Sequence, residues 1–153
     1  MLEVRDQIKQ AASRLVATRR EQLSAAETEL SRRHQAVTAC RQRQVEAQQQ
    51  LFEESQTGVE ANKLVIHRTH LSDLRRIEQE LLAQVEEQRA VVSAAKDELD
   101  KAINALIEAS REVQVIEKHR EGWQERTRRA EQLQEQKTGD EIGAVTHRRS
   151  QEE

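Results

Sequence analysis

His67, His70 and Asp73 recur at three-residue intervals and are the nearest thing in this chain to a metal-ligating set. On a helix, each three-residue step turns the side chain by about 60°, so the trio fans apart. No cysteine or further histidine stands beside them to complete a coordination shell. They read as solvated helix surface, and no metal or other cofactor is expected. His34, His119 and His147 are isolated. The single cysteine, Cys40, rules out an internal disulfide and suits a buried position better than a nucleophile, since no neighbouring residue signals an activated thiol. No glycine-rich phosphate loop, serine elbow or paired-histidine metalloprotease motif occurs. Catalysis is not expected. The one side chain that asks for a partner is Trp123, the sole tryptophan.

The elements that must carry these residues are helices. Of 153 residues, 35% are hydrophobic and 35% charged, too little apolar material for a thick core. Alanine, glutamate, lysine, leucine and arginine make up about half the chain, the composition of coiled coils and long helices. Proline is absent and glycine occurs four times, never before Gly58. With an aromatic fraction of 1%, neither an aromatic core nor a base-stacking platform is available. The net charge is −3, and acidic residues separate arginine pairs such as Arg32-Arg33 and Arg75-Arg76, so no basic stripe follows a phosphate backbone. Nucleic acid is not an expected partner. No apolar run reaches the about 18 residues that cross a bilayer, and the amino-terminal MLEVRDQIKQ has no apolar signal region. These features predict a cytosolic chain that meets a membrane only through partners.

Hydrophobic periodicity supplies the architecture. Leu81, Val85, Gln88, Val92, Ala95, Leu99, Ala102, Leu106, Ala109, Val113 and Ile116 alternate in steps of four and three, a heptad seam. In the first half, Leu23, Ala26, Leu30, Arg33, Val37, Cys40, Gln44, Ala47 and Leu51 keep the same rhythm. Val4, Ile8, Ala11 and Leu15 also do so, but they join the rest through a four-residue stutter that would locally unwind the supercoil. Between the halves, turn-favouring residues surround Gly58, with Asn62 expected to cap the second helix. The prediction is an all-α fold, a long antiparallel two-helix coiled coil (α-hairpin) with the second helix longer than the first. Its parts are a first helix over residues 1–54, a turn at 55–62, a second helix over 63–137 and a flexible tail over 138–153 loosened by Gly139 and Gly143. A bend at Gly58 sets Leu51 near Val65, Leu30 near Val85, Leu23 near Val92 and Val4 near Val113, and buries Leu99 and Leu106. From about residue 114 the second helix overhangs, with Ile116, Trp123, Ala130 and Leu133 on an uncovered apolar side that predicts a docking surface.

Two segments carry a family resemblance: TGVEANKLVIHRTHLSDL from Thr57 to Leu74, and the run from Glu117 to Arg149 with Trp123, Glu131, Gln136, the Asp140-Glu141-Ile142 triplet and Arg148. On these the chain resembles the flagellar export protein FliJ family, whose relatives include the YscO group of type III secretion injectisomes. The resemblance implies a non-enzymatic stalk and assembly factor of bacterial flagellar protein export, cytoplasmic and peripheral to the inner face of the membrane at the flagellar base. It implies three partners: the hexameric export ATPase (FliI), the export gate (FlhA) and substrate chaperones. Carried onto this sequence, it assigns gate binding to His70, Leu74, Ile77 and Leu81. It places the ATPase contact at the open end, where the overhang offers Ile116, Trp123, Ala130 and Leu133. The alternative is a structural or scaffolding coiled coil that self-associates through the overhang.

Overall fold

The computed structural model of the chain describes the backbone of residues 2–151 and the side-chain environment of residues 3–145 and 147. Two helices account for it: α1, Leu2–Gln56, and α2, Ala61–Gln151. The fold is all-α, with the second helix the longer. α1 ends where glycine permits it. Gly58 has φ +77°, the left-handed conformation that follows many helix ends. The last turn closes through a bond of 3.3 Å from the Thr57 N–H to the Glu53 carbonyl. α2 starts with the Lys63 N–H donating to the Glu60 carbonyl at 3.0 Å, which puts Glu60 at the cap position. Asn62, expected as the cap, lies inside the first turn. The helix expected to stop near residue 137 instead runs through Gly139 and Gly143 to Gln151. An isolated glycine costs a helix about 1 kcal/mol relative to alanine, which weakens it without the break that a proline would impose. Residues 152 and 153 of the expected tail lie outside the described residues.

The contacts divide the chain into two units, one of Ser13–Asn104 and one formed by Met1–Ala12 with Ala105–Glu153. In the first, α1 and α2 run antiparallel about a narrow seam. Buried residues of α1 are Val16, Ala26, Val37, Cys40 and Ala47, and those of α2 include Leu71, Leu74, Val85, Val92 and Ala102. Leu51 and Leu81 pack against the cluster of Cys40, Ala47, Leu71 and Leu74. Val65, expected to face Leu51, is 62% exposed, and Leu99 is only half-buried. The stutter does not occur. Val16, Arg19, Leu23, Ala26 and Leu30 are all at least half-buried and step three, four, three and four without interruption, whereas Leu15 is 44% exposed. Keeping one heptad phase lets every turn meet the partner helix, and its cost is a set of larger apolar side chains left one residue off the seam.

Polar groups within this seam have partners. Gln88, 6% exposed, donates its amide to the Ala26 carbonyl at 3.0 Å. Arg33 donates to the Gln84 carbonyl at 2.7 Å and also holds Glu29 at 2.9 Å. Glu78 accepts from Arg41 at 2.6 Å and from Gln44 at 2.8 Å. The Cys40 thiol points at the Leu74 carbonyl, 3.4 Å away. Apart from the Arg33–Glu29 pair, which lies within α1, each of these bonds joins positions that only one register brings together, so the polar layers specify alignment where apolar layers alone would tolerate slippage.

In the second unit, Ala109 and Val113 of α2 are buried. Arg5 of α1 pairs with Glu112. Val4 and Ile8, expected in the seam, are exposed, and Leu106 is half-buried rather than buried. Among the described residues the half-buried α1 positions are Arg5, Asp6 and Ala12, so small and charged residues line this side while Val4 and Ile8 face outward.

Two outcomes follow for the seam. Leu74→Ala, truncating a side chain only 5% exposed, should cost about 2–3 kcal/mol in urea unfolding. Val16→Asp should lower the melting temperature sharply and Leu15→Asp should barely move it; the opposite order would restore the stutter. On pH, hydrogen bonds from Arg32 and then Arg33 hold the Glu29 carboxyl down to about 2. Bonds from Arg41 and then Gln44 lower that of Glu78. Both folded values lie below the unfolded one, so their stabilisation is present above about pH 4.3 and is lost as pH falls towards 2. Melting temperatures at pH 7, 5, 3 and 2 should fall through that window, less steeply in Glu78→Gln.

Candidate functional site

The groups that could meet partners lie on helix faces. At the turn end, His67 of α2 sits 2.6 Å from Glu54 of α1. His70 and Asp73, the rest of the histidine-aspartate trio, are exposed, with Asp73 3.9 Å from Arg76. Among the described residues no group of three or more histidine, cysteine or acidic side chains is arranged to hold a metal ion.

The four residues assigned to gate binding do not form one open face. Leu74 is buried in the core cluster and Leu81 packs against it. His70 is exposed and Ile77 is 39% exposed. The heptad explains the split: Leu74 and Leu81 are seven residues apart on the seam, while His70 and Ile77 are seven apart on its flank. Leu74 is available to a partner only if the two helices separate.

The overhang residues fare differently. In the unit that contains them, Ile116 is half-buried, and beyond it every described side chain from residue 117 to 145 is exposed or half-exposed. Ile116, Trp123 and Ala130 recur every seven residues and so share a helix face. Trp123 is 62% exposed and Leu133 is exposed. This stretch of α2 is held by local bonds, with Arg129 paired to Glu125 and the Thr127 hydroxyl donating to the Trp123 carbonyl at 3.0 Å. Gly139 leaves a shallow hollow lined also by Glu131, Gln134, Glu135, Thr138 and Ile142. Sequence reasoning missed Val115, Ile142 and Val145, all exposed. They fall outside the heptad, and an expected tail offered no pattern to hold the last two. It also missed the outward turn of Val4 and Ile8, which carrying the phase back from Leu51 without a stutter would have revealed.

Two antiparallel helices joined by a short turn, with no enclosed site among the candidate residues, define a coiled-coil hairpin protein. Its sequence matches the YscO-like protein family over residues 1–153, and the chain belongs to that family. The family relates it to type III secretion. Its fold is similar to that of CT670 from Chlamydia trachomatis, described as a YscO homologue: 22% identity, a TM-score of 0.84, and coverage of 99% of this chain and 94% of that one. At that identity the likeness is one of fold. No curated protein matches the sequence. Among the described residues no helix is long and apolar enough to cross a membrane.

Exposure of the indole is directly measurable. Tryptophan emission should lie at the red end of its range and acrylamide should quench it freely at all protein concentrations. A blue-shifted, protected signal would place Trp123 in an interface within the free protein.

Proposed function

We propose that the chain is a non-enzymatic stalk and assembly factor of type III protein export, of the flagellar branch, that engages the hexameric export ATPase, the export gate and substrate chaperones. The observation that carries this reading is Trp123, 62% exposed on a stretch of α2 that no second helix covers. A large rigid ring buries much area at low entropic cost, and such residues dominate interfaces. In this reading the uncovered helix, with Ile116, Trp123, Ala130 and Leu133, enters the ATPase ring. Gate binding falls to His70 and Ile77, because Leu74 and Leu81 belong to the seam. Membership of the YscO-like family supports the type III setting, and the resemblance to FliJ supports the flagellar one. The protein then works in the cytoplasm, at the inner face of the membrane at the flagellar base, reaching the membrane only through its partners.

Trp123→Ala should weaken binding to the hexameric ATPase by about 1 kcal/mol or more while barely changing the melting temperature, since the residue is 62% exposed. Normal binding by this variant would remove the overhang from the contact. Loss of self-association in place of ATPase binding would favour a scaffolding coiled coil.

A further inference from the structure

A flank near the turn combines unpaired positive charge with exposed apolar side chains. Its orientation is set by the ion pair of Glu27 with Lys96, 3.9 Å apart, which marks one side of the seam in the unit of Ser13–Asn104. Three heptads towards the turn on each helix, Gln48 takes the place of Glu27 and Arg75 that of Lys96. One heptad further, Ser55 stands opposite Arg68. The acid that would answer the cation has gone, and the cations remain. Neither arginine finds one within its own helix. Positions three and four residues either side of Arg68 are Leu64, Val65, Leu71 and Ser72, all uncharged. The one acid in reach of Arg75 is Glu78, which already accepts from Arg41 and Gln44. Among the described residues, Arg68 and Arg75 have no hydrogen-bond or ion-pair partner, and both are exposed.

The same flank carries apolar surface. Val65 is three residues from Arg68 on one face of α2, and Val45 and Phe52 lie three and four residues either side of Gln48 on the matching face of α1. Phe52 is 63% exposed, Val65 62% and Val45 46%. The sole phenylalanine of the chain thus faces water beside two arginines without counter-charges.

We propose that this flank is a docking surface for an acidic amphipathic helix of a partner protein. The two faces recur with the heptad of the seam, so a third helix laid between them meets a side chain at each turn, its apolar stripe on Val45, Phe52 and Val65. Its carboxylates reach Arg68 and Arg75, whose planar guanidinium groups suit bidentate bonds. The surface is separate from the overhang, so this inference stands or falls independently of the ATPase contact.

The test uses the full-length chain and a fluorescein-labelled three-heptad peptide, leucine at its seam positions and glutamate at its flanks, followed by anisotropy. Saturable binding is expected that weakens as salt is raised. The double variant Arg68→Glu/Arg75→Glu and, separately, Phe52→Ser should each weaken it about tenfold or more, with helical circular dichroism and melting retained. If charge reversal perturbs folding, Arg68→Gln/Arg75→Gln is read in its place. The proposal is overturned by absent binding, by unchanged affinity in the variants, by equal binding of a peptide with lysine for glutamate, or by loss on Trp123→Ala alone. Binding of phosphatidylglycerol vesicles in preference to the peptide would overturn it in favour of a lipid surface.

Discussion

The narrow seam between the two helices is the constraint to which every other feature answers. There is one apolar line per helix and no second layer, so each buried residue has neighbours on one side and water close by on the other. Small side chains dominate α1's share of it: among the described residues Ala26, Cys40 and Ala47 are buried, with Val16 and Val37 the only larger ones. Small residues let the backbones approach but bury little area per layer, and at about 25 cal/mol per Å² the gain per heptad is modest. Stability therefore comes from the number of layers in register. That makes register valuable, and the polar contacts guard it. A slip by one heptad would carry Gln88 away from the Ala26 carbonyl and Glu78 away from Arg41 and Gln44, each left to face an apolar or mismatched layer.

A protein with so little apolar material makes its exposed apolar residues informative. In a thick globular domain, a surface valine or leucine needs no explanation. Here the seam already leaves Leu23, Leu30, Leu81, Leu99 and Leu106 only half-covered. Phe52 and Trp123 are the only two aromatic residues; Phe52 stands one residue off the seam beside Leu51, and Trp123 keeps the heptad phase of Ile116 yet is 62% exposed, so the chain forgoes the largest burial available to it. Their outward placement is better explained by what they meet than by what they stabilise within the chain.

Much of this was readable from sequence because the heptad is a strong periodic signal. The seam of α2 from Leu81 to Ile116, the reversal at Gly58 and the uncovered Trp123 all follow from spacing and from the residues that permit a turn. What failed did so for physical reasons. Val4, Ile8, Ala11 and Leu15 form a heptad of their own, and the bulk of Val4, Ile8 and Leu15 gives it the look of a seam. Hydrophobicity identifies a stripe, but the partner helix selects the phase, and it selected Arg5, Ala12 and Val16. The residues assigned to the gate divide for the same reason, Leu74 and Leu81 in the seam and His70 and Ile77 on its flank: a spacing of four, three and four places residues along one side of a helix without saying whether that side is already occupied. The end of α2 was misjudged by weighing two glycines as a stop, when the signal that stops a helix is a proline or a capped left-handed residue, as at Gly58.

That end of α2 raises a question of balance, because an isolated helix of its length is marginal in water. Forming a helix is costly at its first turn, where several residues are fixed for a single hydrogen bond, and cheap at each residue thereafter. The overhang does not bear the first cost. It continues from a segment that Ala109 and Val113 hold by burial and that the Arg5–Glu112 pair ties to α1. Beyond that nucleus each residue needs only to propagate, and the composition favours it: glutamate, glutamine and arginine predominate, with a local pair at Glu125 and Arg129. Gly122, Gly139 and Gly143 work against it by about 1 kcal/mol each relative to alanine, so helical order is sustained by a small margin. A surface held that way is helical before a partner arrives and is stabilised further by any contact that covers it, which places the driving force for docking in the partner's burial of Trp123 and its neighbours.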